Sequence, residues 1–417
     1  MSAAASARGV VFRCRHILPM AGPPLENGWL RVARGRIVAL DSGRPPVGAI
    51  DLGDAIVLPG LVNAHTHLEF SDLRTPLDAA GGLPGWIGRV VPLRRERDAA
   101  PGAAEKVAAA LRRGLVESAL AGVTTIGEIA TQVDVAAVTT GGPRVRTFRE
   151  ALGLSAAAGE AAFRSLVGDL DRLAAGAAAA GISPHAPYSV AAPLGRRLVA
   201  EACRRRLPVA MHVAESLAEQ ELVARGTGPL RQLLEDLGAW RPECPPHLLP
   251  AAEWITRLAR APRGIIVHGT FLDRDADAFG RLARHRDRLC VVVCPRTTQA
   301  LSGTLPPLAL FREAGIRVAI GTDSRASTPD LSVLAECRAL VTAGAATPAE
   351  ALRMATIHGA WALAFDRRCG RLAPGLAADL LILRPAARYG DPWEAALDPR
   401  TCITATMRSG RFIAGQA

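Results

Sequence analysis

Two histidines separated by a single residue, His65 and His67, follow an apolar run in the segment 58–69. On extended backbone, side chains two residues apart point to the same face of a strand, so both imidazoles can converge on one point. Imidazole is the commonest metal-ligating side chain. The pair therefore predicts a metal site if other ligands complete it, whereas His-x-His alone is a weak signal that packed histidines also produce.

Residues that complete such a site follow later apolar runs along the chain. Five of the nine histidines lie at or close to the end of a run, and beyond the first pair these are His185, His212 and His268. The carboxylates Glu215 and Asp323 lie close to the ends of the fifth and eighth runs. In a parallel α/β barrel the chemistry is carried at the C-terminal ends of the strands, so we expect these side chains to meet.

The apolar runs alternate with segments of helical length. Candidate strands lie at 58–63, 124–129, 145–151, 181–184, 208–212, 264–267, 289–294 and 316–321, and candidate helices include 105–120, 162–180 and 331–344. Most of the strands are continuously apolar, as expected when parallel strands are buried on both faces. Eight strand–helix units predict an α/β fold, with a (β/α)8 TIM barrel over residues 59–367. The stretch 226–263 is too long for one crossover and predicts an inserted helix pair.

Short strand-like segments separated by turn residues occupy both ends of the chain. They lie at 10–14, 29–33, 36–40 and 55–58, and again at 379–383, 403–408 and 411–414. Because both ends of the chain show the same pattern of short strands and turns, we predict one small β-sandwich domain that is built from residues 1–58 and 368–417.

The composition limits the partners. The formal charge is +11, but the arginine clusters lie in helix-like segments without interleaved aromatic residues, which favours solvated helix faces over nucleic-acid binding. No apolar run reaches the ~18 residues of a membrane helix. Arg8, Arg13 and Arg15 interrupt any export signal, and the eight cysteines form no CxxC pair, so we expect a cytoplasmic protein. A homo-oligomer is compatible with the sequence.

Taken together, the motifs PGLVNAHTHLE, SPHAPYS, HVAES, VHG, CPRTTQAL and GTDSRAS resemble the amidohydrolase superfamily. Within it they are similar to the cytosine deaminase-like branch of chlorohydrolases and aminohydrolases, which includes adenosine-type and aminofutalosine deaminases. The order of motifs covers about the whole chain, down to PGLAADL at 374–380.

The resemblance implies a mononuclear metal site. The implied protein ligands of one divalent ion are His65, His67, His212 and Asp323. Zn²⁺ is the expected ion, with Fe²⁺ and Mn²⁺ as alternatives, and the ion would make hydroxide available at neutral pH. The only lysine, Lys106, lies in a helical stretch and not at a strand end, which favours one metal over a lysine-bridged pair.

The resemblance also implies catalytic roles for three residues. Glu215 would protonate the ring nitrogen beside the attacked carbon, Asp323 would take a proton from the attacking water, and His268 would hydrogen-bond the hydroxide and the tetrahedral intermediate. Each has a plain structural alternative. Asp323 could cap a turn, Glu215 could interact with a helix dipole, and His268 could be a structural hydrogen-bonding group.

Four further residues are predicted to contact a small-molecule substrate, namely His185, Trp86, Glu69 and Arg149. His185 could instead be a structural hydrogen-bonding group. Trp86 lies in the Gly/Pro-rich segment 81–86, which predicts a lid loop that stacks on a flat ring, with a packed tryptophan as the alternative. Glu69 could bind sugar hydroxyls or cap a turn. Arg149 could meet a substrate carboxylate, or form a buried ion pair with Glu150 or Glu128.

These features predict a metal-dependent aminohydrolase that releases ammonia from an aminated purine-like heterocycle or nucleoside. An anionic or carboxylate-bearing purine nucleoside would suit the extra arginines. Two alternatives stay open: a hydrolase of a cyclic amide or a chlorinated heterocycle on the same metal, and a non-catalytic barrel with a binding role. Arg325 stands where the resembling proteins usually carry a small or apolar residue, so the sequence does not name the ring.

Overall fold

The computed structural model describes residues 9–131, 141–176 and 178–416, so residues 1–8 of the predicted small domain lie outside it. The strands are β1 Val10–Ile17, β2 Leu25–Ala33, β3 Arg36–Ser42, β4 Ile50–Asp51, β5 Ile56–Pro59, β6 Leu61–Thr66, β7 Val123–Ala130, β8 Arg144–Ala151, β9 Ala179–Pro184, β10 Val209–Val213, β11 Gly264–His268, β12 Leu289–Val293, β13 Arg317–Ile320, β14 Leu380–Arg384, β15 Cys402–Arg408 and β16 Arg411–Gly415.

The helices surround the barrel and fill its crossovers. They are α1 Gly82–Ala99, α2 Ala103–Leu120, α3 Ala156–Ala175, α4 Ala192–Arg205, α5 Leu217–Arg225, α6 Pro229–Asp236, α7 Ala251–Leu258, α8 Ala276–Arg284, α9 Pro295–Ser302, α10 Leu308–Glu313, α11 Val333–Thr342, α12 Pro348–Arg353, α13 Gly359–Ala362 and α14 Pro392–Leu397. Among the described residues, none of these helices combines the length and apolarity needed to cross a membrane.

Strands β6 to β13 form one parallel sheet in chain order that curls into a nearly closed barrel. Each of the eight predicted strands overlaps one of them, so the predicted (β/α)8 barrel is confirmed. Alternate side chains along each strand point inwards, as the pleat requires. Phe148, Ala210 and Val267 therefore pack in the barrel interior, whereas intervening residues such as Met211 pack against the helix layer.

The barrel closes where the end of β13 meets β6. The backbone N–H groups of Thr322 and Asp323 both donate to the carbonyl oxygen of His65, at 3.1 Å each. The strands approach so closely that a Cβ at Gly321 would lie 2.7 Å from that same carbonyl oxygen. Asn63 adds two side-chain bonds, donating to Thr322 Oγ1 at 2.7 Å and accepting from its N–H at 3.1 Å. The closure therefore holds the first and last barrel strands in a fixed register.

The helix layer corrects two details of the sequence interpretation. The segment 81–86, predicted as a lid loop, enters the first turns of α1, so Trp86 is a helical residue. The helix predicted at 162–180 runs over Ala156–Ala175 instead, because the Ser155 hydroxyl caps its start by accepting from Ala158 N–H. The helix pair predicted in 226–263 is present as α6 and α7. Helix α7 packs against α4 and α8 in the ordinary crossover layer, whereas α6 packs on α1.

The remaining strands form a separate eight-stranded sheet from both ends of the chain, in the order β16–β15–β14–β5–β1–β2–β3, with β4 paired to β1. The predicted small β domain from both termini is thus confirmed as one hydrogen-bonded sheet with a core of its own, which includes Phe12, Leu30, Ile382 and Met407. The bounds assigned to the two domains stay a prediction. Arg144 of the barrel and Asp379 form a buried ion pair at 2.8 Å beside this sheet.

Candidate metal centre and active site

Three imidazoles meet at the C-terminal mouth of the barrel. His65 and His67 lie at the end of β6 and His212 lies in β10, and one ligand atom from each falls within 4.8 Å of the others. The His65 ring centroid lies 5.0 Å from those of both His67 and His212. His212 Nδ1 is 2.8 Å from the carbonyl oxygen of His185. A bond donated there leaves His212 Nε2 free to bind a metal, as is usual for ligating histidines.

Asp323 lies next to this cluster, on the chain segment that follows the last barrel strand β13. Its Oδ1 lies 3.8 Å from His65 Nε2 and 3.7 Å from His67 Nε2. Asp323 lies three residues beyond the end of β13 and has a left-handed backbone, with φ of 57°, which is uncommon for a residue with a Cβ. Its Oδ2 accepts from Ser327 Oγ at 3.2 Å, and that hydroxyl lies 2.8 Å from Thr297 Oγ1. The carboxylate is therefore oriented by a hydroxyl pair as well as by the chain.

The donor set fits a divalent transition-metal ion. Both ring nitrogens of His65 and Nδ1 of His67 are buried without a hydrogen-bond partner among the described residues. Burial lowers the pKa of His65 and His67 well below the usual range and that of His212 to about 4, so the three imidazoles are neutral and can act as ligands. Three imidazoles and one carboxylate suit Zn²⁺, Fe²⁺ or Mn²⁺.

Two further titratable groups, Glu215 and His268, lie beside this donor set. Glu215 Oε1 is 3.4 Å from His268 Nε2, and both side chains line the same cavity. Burial, reinforced by the negative charges of Asp323 and Glu219, raises the pKa of Glu215 well above its usual range. Burial also raises the pKa of Asp323 to about 6. A raised pKa favours the protonated form of Glu215, the form in which a carboxyl group can act as a general acid.

The turn that carries Glu215 is held by a residue that the sequence analysis did not identify. Glu219 accepts from the backbone N–H groups of Ala214 and Glu215, at 2.8 and 3.0 Å. Ala214 has a positive φ of 54°, so this turn is conformationally unfavourable without such support. The spacing of four residues within a helix start could have suggested the contact, because a carboxylate in the first turn faces the N-terminal N–H groups.

A cavity of about 690 Å³ opens above the donor set. Apolar side chains from α1, α6 and the loop after β8 form most of its wall, with His185, Tyr188 and Arg94 among the polar residues. Trp86 also lines it, and its Nε1–H donates to the carbonyl oxygen of Ala326 at 2.9 Å. The structure therefore places His185 and Trp86, two of the four predicted substrate residues, at this cavity.

Glu69 and Arg149 do not line the cavity. Glu69 is buried and accepts from Arg94, Arg97 and Thr131, so its carboxylate anchors α1 to the barrel. The guanidinium of Arg149 pairs with Asp169 of α3 and donates to the carbonyl oxygen of Ala130 at 3.0 Å. The sequence offered a buried ion pair of Arg149 as the alternative to a substrate role. Such a pair is formed, but its partner is Asp169 and not Glu150 or Glu128.

The pleat of strand β8 explains why the Arg149 side chain points away from the cavity. Successive residues of a strand face opposite sides, and Phe148 faces the barrel interior, so Arg149 faces the helices and Glu150 faces the mouth. The same alternation, read from the sequence, favours Glu150 over Arg149 as the residue that faces the mouth.

Arg325 also lies outside the cavity lining. It donates to the carbonyl oxygens of Leu73 and Arg74 and pairs with Glu117 at 3.0 Å. Its role is to fasten the loop after β6 to α2, so it makes no contact with the space above the donor set.

A cluster of three histidines and one aspartate at the C-terminal mouth of a (β/α)8 barrel is typical of a catalytic metal site. The chain belongs to the amidohydrolase family, whose model matches residues 56–413. A 5-methylthioadenosine/S-adenosylhomocysteine deaminase from Halobacterium salinarum is 31% identical over 372 residues, which are 84% of this chain and 78% of that relative.

Two solved structures share the fold. The aminofutalosine deaminase of Helicobacter pylori, in complex with methylthio-coformycin, has a TM-score of 0.83 at 23% identity, with 97% of this chain and 100% of that one covered. The atrazine chlorohydrolase of Arthrobacter aurescens, complexed with zinc, has a TM-score of 0.77 at 20% identity, with 97% and 95% covered.

Proposed function

We propose that this protein is a metal-dependent deaminase that releases ammonia from the aminated ring of an adenine-type nucleoside. The observation that carries the proposal is the convergence of His65, His67, His212 and Asp323 with the proton-transfer pair Glu215 and His268. The relatives that are named as deaminases of methylthioadenosine, adenosylhomocysteine and aminofutalosine support a nucleoside as the substrate.

The four ligands would hold one divalent ion, and we propose Zn²⁺ because the related atrazine chlorohydrolase is complexed with zinc. When bound, such an ion lowers the pKa of a coordinated water towards ~7. The remaining chemistry belongs to the chain. Asp323 takes the proton of the attacking water, and Glu215 delivers a proton to the ring nitrogen beside the attacked carbon. His268 donates a hydrogen bond to the oxygen that attacks.

The cavity supports a substrate larger than a free base. Its volume of about 690 Å³ is within the usual range for ligand sites of ~300–1,000 Å³. Its apolar wall suits a flat ring and a hydrophobic substituent, while Arg94, Arg95 and Arg241 lie along its lining. An anionic group on the substrate could be accommodated near these arginines, which keeps the carboxylate-bearing nucleosides among the candidates.

The test is an ammonia-release assay with adenosine, methylthioadenosine, adenosylhomocysteine, aminofutalosine, guanine and cytosine, together with elemental analysis of the purified protein. We expect one equivalent of metal and turnover of at least one nucleoside. Glu215→Gln should keep the metal and lose turnover, whereas Glu235→Gln, at an exposed carboxylate paired with Arg231 outside the cavity, should behave as wild type. Full turnover by Glu215→Gln would remove Glu215 from the mechanism.

A hydrolase of a chlorinated heterocycle or a cyclic amide is the second candidate, because the zinc-bound atrazine chlorohydrolase shares the fold. Chloride release from a chlorinated triazine without ammonia release from any nucleoside would favour it. Absence of both bound metal and turnover after metal addition would favour a non-catalytic binding role. We also propose a cytoplasmic location, since all eight cysteines are free, as is usual in a reducing compartment.

A further inference from the structure

One carboxylate in the cavity has no assigned partner. Glu150 lines the cavity, and its Oε1 atom is buried without a hydrogen-bond partner among the described residues. A buried acceptor that receives no hydrogen bond is strongly unfavourable, so such groups usually mark a place where a ligand or water donates. Glu150 has no role in the chemistry described above.

His185 provides a second polar group beside Glu150. One ligand atom from each of Glu150, His185 and His212 falls within 4.8 Å of the others. His185 Nδ1 lies 2.6 Å from Ser189 Oγ, so Nε2 is the ring nitrogen left for a ligand. Burial and the nearby charge of Arg94 lower the pKa of His185 to about 3, so this imidazole is neutral.

The surroundings favour a neutral ligand with several hydrogen-bonding groups over a cation. Burial raises the pKa of Glu150, and the positive charge of Arg94 acts on both Glu150 and His185, so an ammonium group between them is disfavoured. A second metal ion would need His212 as its third ligand. However, His212 Nδ1 faces the carbonyl oxygen of His185 at 2.8 Å, and its other nitrogen belongs to the first site. Glu150 and His185 alone would be a poor metal site.

We propose that Glu150 and His185 bind the two adjacent ribose hydroxyls of the substrate, and so make the enzyme selective for ribonucleosides. The inference rests on the proposed function. One hydroxyl donates to the Glu150 carboxylate, and the other bonds His185 Nε2, which a hydroxyl can do as donor or as acceptor. The pair lies beside His212, so a base that reaches the metal centre would place its sugar near these two groups. The sugar site assigned in this way differs from Glu69, which is occupied by arginines.

The experiment compares adenosine with 2′-deoxyadenosine and 2′,3′-dideoxyadenosine, in the wild-type enzyme and in Glu150→Gln. In the wild type we expect kcat/KM to fall by ~10–100-fold from adenosine to the dideoxy analogue, as for the loss of hydrogen bonds to a charged group. Glu150→Gln should lose ~10–100-fold on adenosine but less than ~3-fold on the dideoxy analogue. Metal content and the unfolding midpoint show whether the variant is folded, and Glu235→Gln is the charge-matched control.

The possible outcomes distinguish the inference about Glu150 and His185 from the proposed deaminase function. Ammonia release from adenosine with equal kcat/KM on all three nucleosides would overturn the inference and leave the proposed function standing. An equal loss by Glu150→Gln on all three substrates, with reduced metal content, would also overturn it, because Glu150 would then act on the metal centre. A wild-type enzyme that releases no ammonia from any nucleoside would remove the proposed function together with the inference.

Discussion

Removal of the Asn63 side-chain amide should loosen the closure of the barrel and weaken the metal site at the same time. Asn63 is fully buried, and it donates to Thr322 Oγ1 at 2.7 Å and accepts from Thr322 N–H at 3.1 Å. His65 lies two residues beyond Asn63, and Asp323 follows Thr322 directly. The two hydrogen bonds therefore set the spacing between two proposed metal ligands that come from opposite ends of the barrel sequence.

The expected cost of Asn63→Ala follows from these two bonds. Each contributes ~1 kcal/mol to the free energy of unfolding, and the Thr322 hydroxyl that is left buried without its donor costs a further ~1–3 kcal/mol, whereas the Thr322 N–H keeps its bond to the His65 carbonyl oxygen. The sum is ~3–5 kcal/mol. Thr322→Val keeps the backbone bond but loses the hydroxyl bond and leaves the buried Asn63 amide nitrogen without its acceptor, so we expect ~2 kcal/mol or more. The double variant should be less destabilised than the sum of the single variants by ~1 kcal/mol, because the shared bond is lost only once.

The assay is urea unfolding of the wild type, the two single variants and the double variant, once with saturating metal and once with a chelator. A metal titration of the same four proteins gives their metal affinities. Because Asn63 orients two ligand-bearing segments, metal affinity should fall by ~10-fold or more in Asn63→Ala. A cost below ~1 kcal/mol for Asn63→Ala, or strict additivity in the double variant, would refute the reasoning. It would show that the closure is carried by the backbone bonds of His65 alone.

Three further results are expected. Glu219→Ala should keep its metal but lose ~10–100-fold in kcat, since two hydrogen bonds to the turn that carries Glu215 are removed; unchanged kcat would contradict this role. Asp379→Ala should cost ~3–5 kcal/mol in urea unfolding, because it leaves Arg144 buried and unpaired. The change Arg13→Ala, which breaks a half-exposed ion pair, should cost far less, and equal costs would refute the distinction. Metal at ~100 times its Kd should stabilise the protein by ~2.7 kcal/mol, and a chelator-insensitive unfolding midpoint would argue against a bound ion.

Much of the fold could be predicted from the sequence, because its signals are local. Parallel strands that are buried on both faces must be apolar along their whole length, and the eight predicted runs all coincide with barrel strands. The predicted helix bounds were wrong where a local sequence signal was ambiguous. Glycine and proline in 81–86 suggested a loop, but proline is tolerated in the first turn of a helix, and α1 begins there. The apolar spacing predicts a helix start at residue 162, six residues too late, because the Ser155 cap begins α3 at Ala156.

The sequence alone determined the types and order of the chemical groups: the His-x-His pair, the strand-end histidines and the aspartate after the last barrel strand. Only the tertiary structure decided which charged side chains are available to a ligand. Glu69 and Arg149 carry suitable groups, but arginines of α1 occupy the first and Asp169 of α3 occupies the second. Glu150 is left facing the cavity. A charged side chain's partner depends on residues that are distant in sequence and meet only when helices pack on strands, so no local pattern could have revealed it.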